Sequence, residues 1–397
     1  MNYSDSEEKL SKVLTAYAES LDISESRFKE AEDRYTAVSN WLCRNESTLR
    51  LRNPEIYAQG SFRLGTVVKP INNKEEYDVD VVCQLNYNST EISQAELKKA
   101  LGNELKLYAK ANNMKNEPEK SKRCWILQYA DGAQFHMDVL PSIPDSDDGF
   151  RKMLLENKVP ESIAAMALRI TDKSQPDYDK VGAIWLKSNP KGYAEWFKNR
   201  MRVRFTEDSR MLLERKVYAS VEDVPLYKVK TTLQRAIQIL KRHRDIRFEK
   251  NPDVKPISII ISTLAGHAYN NESNLYVALK GIIDRMSQYL FQKDGIAWIP
   301  NPVNPTENFA DKWPKHPERK IAFEQWLVAV RNDMFAALKK DRDLDMAQVL
   351  GASLGTGLYE DVSKRLQPAT PSVTVQTKNY PKVQLRDDKD VRPWKGI

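Results

Sequence analysis

The chain has 397 residues, 41% of them hydrophobic, and 62 Lys and Arg against 55 Asp and Glu give it a net charge of +7. That length buries a large core and predicts two lobes, while the absence of any apolar run of about eighteen residues excludes a membrane-spanning helix. An acidic, polar start without a signal peptide and three widely spaced cysteines, Cys43, Cys83 and Cys124, predict a reducing cytoplasm and leave no zinc-finger set.

In chain order, residues 5–45 predict two helices. In the second, Phe28, Ala31, Tyr35, Val38 and Leu42 recur at three- and four-residue steps, with Asp22 or Ser24 as N-cap. Residues 56–145 mix strands with one helix at about 94–112, and the Pro- and Asp-rich stretch 141–148 closes that block. The basic run 98–123 reads first as a solvated helix face and second as a nucleic-acid-binding patch. The aromatic segment 185–197, with Asn189-Pro190-Lys191-Gly192 inside it, reads either as core or as a loop that stacks a base. From Glu161 the pattern is mainly helical, with helices over 231–248, 256–270, 273–292 and 319–340. From Gln367, Pro, Thr, Ser and charge replace apolar periodicity and predict a flexible or surface-draped tail. The division is therefore N-terminal helices over 1–50, a sheet-bearing block over 51–150, a helical lobe over 151–366 and the tail over 367–397.

Chemistry concentrates in the second block. Gly60-Ser61 opens a small-residue turn, and Arg63 and Lys69 follow it with positive charge. Gly60 allows close backbone approach to a phosphate, and Ser61 offers a hydroxyl and an N–H. The run Tyr77-Asp78-Val79-Asp80-Val81-Val82 then places two carboxylates at i and i+2 in a β-forming stretch. A strand sends both to one face and Val79 and Val81 to the other. Charges inside such a run break the local rule for a buried strand, which marks function. Two adjacent carboxylates repel unless a cation sits between them, and oxygen ligands suit Mg2+ or Mn2+. A third acid, Asp138 in Phe135-His136-Met137-Asp138-Val139-Leu140, follows Trp125–Tyr129 and an Asp131-Gly132 turn. The two runs predict a hairpin whose second strand stands beside Asp78 and Asp80. His136 shares the face of Asp138 as a supporting or packing residue.

The order Gly60-Ser61, Asp78-x-Asp80, Asp138 resembles the DNA polymerase β-type nucleotidyltransferases. The chain is most similar within them to the cGAS/DncV-like nucleotidyltransferases (CD-NTases), the oligonucleotide cyclases of bacterial CBASS anti-phage defence. Further blocks carry the likeness: residues 185–197, Leu240-Lys241-Arg242-His243-Arg244-Asp245 with Lys255-Pro256-Ile257-Ser258, and Asn301-Pro302-Val303-Asn304-Pro305 with Glu307-Asn308-Phe309-Ala310-Asp311. The resemblance spans about residues 57–313. It implies an α+β fold, a mixed sheet flanked by helices with a helical second lobe. It also implies that Lys241 and Ser258 hold a donor triphosphate, and that Asp78, Asp80 and Asp138 bind two Mg2+ or Mn2+ ions. Nucleoside triphosphates (ATP, and GTP or a pyrimidine) would be joined into a cyclic di- or trinucleotide messenger with release of pyrophosphate. A regulatory protein partner fits the family. Zinc-thumb sensing of DNA, as in the animal cyclic GMP-AMP synthase, does not fit these cysteines. Two rival readings stay open on sequence: a linear-oligonucleotide or RNA-terminal transferase of the same superfamily, and a non-catalytic nucleotide- or RNA-binding module.

Overall fold

The structure, a computed structural model, describes residues 4–72, 77–129, 135–214 and 229–367. The expected Asp131-Gly132 turn and the tail beyond 367 lie outside the described residues. Among those residues seven strands form one mixed sheet: β1 (Glu55–Ala58), β2 (Tyr77–Gln84), β3 (Glu119–Lys120), β4 (Trp125–Gln128), β5 (Phe135–Pro144), β6 (Leu168–Ile170) and β7 (Leu186–Ser188). Five of them run in the order β1-β2-β5-β4-β3, and β6 pairs with β5 and with β7. The β2–β5 pair is parallel; the other pairs are antiparallel.

β5 is longer than the sequence suggests. The Pro-rich stretch expected to close the block carries on as strand to Pro144, because Ser142, Ile143 and Pro144 pair with Ile170, Arg169 and Leu168 of β6. Proline lacks a donor, but its carbonyl still serves a neighbour: Pro141 accepts from the Thr171 N–H at 3.4 Å.

Two large apolar cores follow from the periodicities. On one sheet face, Val79, Val81, Met137 and Val139 pack against Phe28, Ala31 and Val38 of helix Glu25–Cys43 and Leu97, Leu101 and Leu105 of helix Gln94–Ala111. Ser24 takes the first of these helices as N-cap, and Ser93 closes a capping box on the second. The other core joins helix Asp5–Ser20 to helices Thr232–Arg247, Ser258–Ala268, Leu275–Arg285, Pro317–Leu338 and Asp343–Leu354. Segment 185–197 is not one loop. It divides into Trp185 with β7 and a helix, Pro190–Arg200, whose cap Asn189 accepts the Gly192 N–H; Tyr193 and Phe197 are core. Among the described residues no helix is long and apolar enough to cross a membrane.

The basic run also hides an exception. Lys98 is fully buried, and its ammonium donates to the carbonyls of Ser121 and Lys122 at 2.7 and 3.0 Å. Burial pulls its pKa down to about 8. One turn on, Gly102 lies against the Trp125 ring, where a Cβ would fall 2.1 Å from the ring carbon Cζ2. Gly102→Ala therefore destabilises the fold by about 1–3 kcal/mol, even though alanine is the better helix former. Urea denaturation of the purified variant checks the sign.

Candidate functional site

β2 alternates as expected. Tyr77, Val79 and Val81 are buried in the core, while Asp78 is exposed and Asp80 half-buried on the opposite face. The parallel register sets Asp78 opposite His136 and Asp80 opposite Asp138. One step further, the same face turns apolar, with Val82 and Leu140 packed on Tyr57, Leu168 and Ile170. The carboxylates thus sit at the rim of a small dry cluster.

That setting is electrostatically costly. Burial, then the charges of Asp78 and Asp138, push the Asp80 carboxyl up to about 7. Burial likewise raises Asp138, with Asp78 adding to it and His136 opposing. Asp138 Oδ1 is buried without a hydrogen-bond partner. Asp78 Oδ1 lies 3.0 Å from Nε2 of its register partner His136. Among the described residues no three His, Cys, Asp or Glu side chains converge as a finished metal cage. The donor set itself, oxygen-only with an orphaned buried carboxylate oxygen, fits a hard divalent cation.

The segment before β2 is tied to it. The Gln59 N–H donates to the Asp80 carbonyl at 2.8 Å. The expected Gly60-Ser61 turn is a short helix, Gly60–Leu64, closed by Gly65 at φ 67°. Gly60 has φ +60°, and a Cβ there would stand 2.6 Å from Asp80 Oδ2. Only a residue without a side chain lets the backbone pass so close to that carboxylate. Ser61 lines the adjoining cavity, and its carbonyl accepts from the Thr66 N–H at 3.0 Å. Arg63 does not line it. Its guanidinium lies over the Tyr57 ring, 5.8 Å from the centroid, and donates to the Ala58 carbonyl at 3.4 Å.

The cavity beside Asp78 and Asp80 measures about 640 Å³. Gly60, Ser61, Thr66 and Lys69 line one side, and Lys241, Arg244, Lys255 and Ser258 the other. Asp138 is not a lining residue; it joins the group through its pairing with Asp80. The two sides are held by a polar ladder on helix Thr232–Arg247. Gln234 donates to the Leu64 carbonyl at 3.0 Å, and Gln238 to the Val67 carbonyl at 2.8 Å. Lys241 Nζ donates to the Thr66 carbonyl and hydroxyl at 3.0 and 3.1 Å, and Arg242 donates to the Lys69 carbonyl. Steps of three and four residues put all of these side chains on one stripe of the helix.

Lys241 is buried. Burial, reinforced by the nearby Arg244 charge, lowers its pKa to about 7. Ser258 is the first residue of helix Ser258–Ala268; Ile257 is the cap, so the Ser258 hydroxyl is spared from capping. It accepts from Arg244 Nη1 at 2.9 Å, and the same guanidinium bonds Asp245 Oδ1 and the Pro256 carbonyl. Thr66, Arg244 and Lys255 were not singled out on sequence as site residues. Arg244 sits one turn after Lys241, a spacing that could have flagged it.

A family model, Cyclic GMP-AMP synthase DncV-like, nucleotidyltransferase domain, matches residues 54–141. The c-di-GMP synthase of Roseivirga ehrenbergii is 31% identical over 356 residues, covering 87% of this chain and 84% of that protein. The cyclic dinucleotide synthase CdnG of Bradyrhizobium diazoefficiens is 25% identical over 359 residues, 85% of this chain and 78% of that protein. The structure of the B. diazoefficiens CD-NTase CdnG in complex with GTP superposes with a TM-score of 0.65 at 22% identity, covering 89% of this chain and 97% of that one.

The buried amine makes stability depend on pH. The folded pKa of about 7 lies below the ordinary lysine value of 10.5. Between the two, the unfolded chain holds the proton and the folded chain does not, so stability rises as pH climbs through that window. Below about 7 both forms are protonated and the term is flat. Lys241→Met removes this slope. Urea titrations of both proteins at pH 7 and pH 9.5 should show wild type gaining stability relative to the variant at the higher pH.

Proposed function

Because this chain belongs to the CD-NTases, the cGAS/DncV-like nucleotidyltransferases that make cyclic oligonucleotides, we propose that Asp78, Asp80 and Asp138 are its catalytic acids and that guanosine triphosphate is a substrate which it converts to a cyclic dinucleotide. The observation that carries the reading is the register pair Asp80–Asp138 with Asp78 one alternation away, opening on a cavity lined by basic side chains. The R. ehrenbergii relative, a c-di-GMP synthase, supports the choice of guanine and of a two-nucleotide ring.

The three carboxylates would hold two Mg2+ or Mn2+ ions, which when bound neutralise phosphate charge and lower the pKa of an attacking hydroxyl. The chain's own residues do the rest. Lys241, drawn towards pH-neutral charge by burial, takes up a proton as polyphosphate arrives and becomes a point charge against it. Ser258 presents a hydroxyl and the first free N–H groups of its helix to the same phosphates. Gly60 and Ser61 bring backbone alongside without steric cost. Arg244 holds Ser258 in place from beneath and adds positive potential. Asp138 Oδ1, buried and unengaged, accepts the hydrogen of the acceptor ribose hydroxyl and aligns its oxygen on the α-phosphorus. The new O–P bond forms as the bond to pyrophosphate breaks. A second such transfer, within the linear product, closes the ring. Assembly with a regulatory protein belongs to this proposal as well.

The test is direct. Wild type incubated with labelled GTP, ATP, CTP or UTP and magnesium or manganese yields a phosphatase-resistant product and pyrophosphate. Asp78→Asn with Asp80→Asn lowers the rate by about 10³-fold or more, and chelation with EDTA abolishes it. Mass spectrometry of the product reads ring size. Unchanged product from the double variant defeats the assignment, and a phosphatase-sensitive product defeats cyclisation alone.

A further inference from the structure

A second cavity of about 770 Å³ adjoins the first, sharing Lys255 and Ile259 with it. Its volume is within the range of small-molecule sites. One wall is the sheet edge, Ile170 with β7. Another is the asparagine-rich segment singled out in the sequence, which folds as a hairpin of strands Pro300–Asn301 and Asn304–Asn308.

The hairpin explains its own asparagines. Asn301 Oδ1 accepts the Val303 N–H at 3.0 Å, and Asn304 Oδ1 accepts the Thr306 hydroxyl at 2.7 Å. Asn308 accepts the N–H groups of Ile299 and Ala310 at 2.9 Å each and donates to the Ala297 carbonyl at 2.9 Å. The side-chain oxygens of all three are engaged in holding the turn. Glu307 is different. It lines the cavity, and Asn301 Nδ2 donates to its Oε2 at 2.8 Å, which fixes the carboxylate. Its Oε1 takes no hydrogen bond from the described residues. Glu307 is an exposed residue of its strand, yet partial desolvation, offset in part by the Asn301 bond and the Arg123 charge, raises its pKa. Phe309 and Trp313 bring aromatic surface to the same cavity.

A held carboxylate beside aromatic surface matches one nucleobase edge. Guanine presents two adjacent donors there, the ring N1–H and the 2-amino group, and a carboxylate has two acceptor oxygens. Adenine presents a bare ring nitrogen in that place, which repels a carboxylate. A transferase that joins two nucleotides needs a second base pocket beside the one that holds the triphosphate. We propose that Glu307 reads the donor edge of a guanine in this second cavity and so selects guanosine nucleotides there. The proposal rests on the transferase reading of the first cavity and deepens it.

Inosine, which differs from guanosine by the missing 2-amino group, isolates the contact. With the full chain, GMP binding exceeds IMP binding by about 10-fold in calorimetry, the value of one hydrogen bond to a charged group. Initial rates with GTP exceed those with ITP in the same sense. Glu307→Gln keeps one acceptor and turns a donor on N1–H; it lowers kcat/KM for GTP by about 100-fold and brings the GMP-to-IMP ratio near one. Glu307→Asp keeps the charge with a shorter reach and recovers part of the preference, provided that both variants melt as cooperatively as wild type. A GMP-to-IMP ratio that stays the same in Glu307→Gln overturns the proposal, even where Asp78→Asn with Asp80→Asn still abolishes synthesis. A Glu307-dependent ratio in binding upholds it even if no triphosphate is turned over, in which case the transferase reading fails on its own.

Discussion

Everything at this site descends from one strand pairing. β2 and β5 run parallel, and a parallel pair must be joined by a crossover rather than a tight turn. The chain supplies helix Gln94–Ala111, with β3 and β4, between them. The crossover helix buries Leu97, Leu101 and Leu105 on the face that carries Val79 and Val81. That burial fixes which side is core. Because side chains alternate strictly, the acids are then forced to the other side. A slip of one residue in β5 would pull Asp138 into the core and push Met137 out, so the hydrophobic pattern enforces the carboxylate pair.

The cost of the pair is visible in the raised Asp80 and Asp138 pKa values, and the surroundings are arranged to meet it with positive charge. Lys241 and Arg244 come from helix Thr232–Arg247 and Lys255 from the turn before helix Ser258–Ala268, not from the sheet. Burial drives the charged lysine towards its neutral form while it drives the carboxylates towards theirs. Both tendencies reverse when a cation-bearing polyphosphate enters, because the groups then meet opposite charge. The charges of the cluster thus complement those of the species it is proposed to bind.

Much of this was readable in the sequence, and the rest was not for definable reasons. Asp78, Asp80 and Asp138 were legible because charge inside a β-forming run violates a local rule. The helices were legible through apolar spacing and Ser caps. The Gly60-Ser61 turn became one helical turn because a five-residue helix leaves no periodicity to detect. β5 outran its apparent end because antiparallel pairing with β6, a tertiary fact, overrode proline as a stop signal. Arg63, expected at phosphate from its proximity to Gly60-Ser61, has its guanidinium over the Tyr57 ring instead of in the cavity lining. Thr66, Arg244 and Lys255 reach the cavity through convergence of segments far apart in the chain, which a single sequence does not encode locally. Lys98 in a basic run and the spare oxygen of Glu307 are likewise products of packing.

The ladder along helix Thr232–Arg247 bears on modularity. The segment recognised by the family model ends at residue 141, yet the main-chain oxygens of Leu64, Thr66, Val67 and Lys69 are all served by side chains some 170 positions later. Cut out alone, that segment would surrender those oxygens to solvent, and the stretch after Gly60–Leu64 would lose the scaffold that gives it shape. The part that looks like a portable unit on paper is therefore completed only by the distant half of its own chain, and swaps between relatives must exchange the pair together.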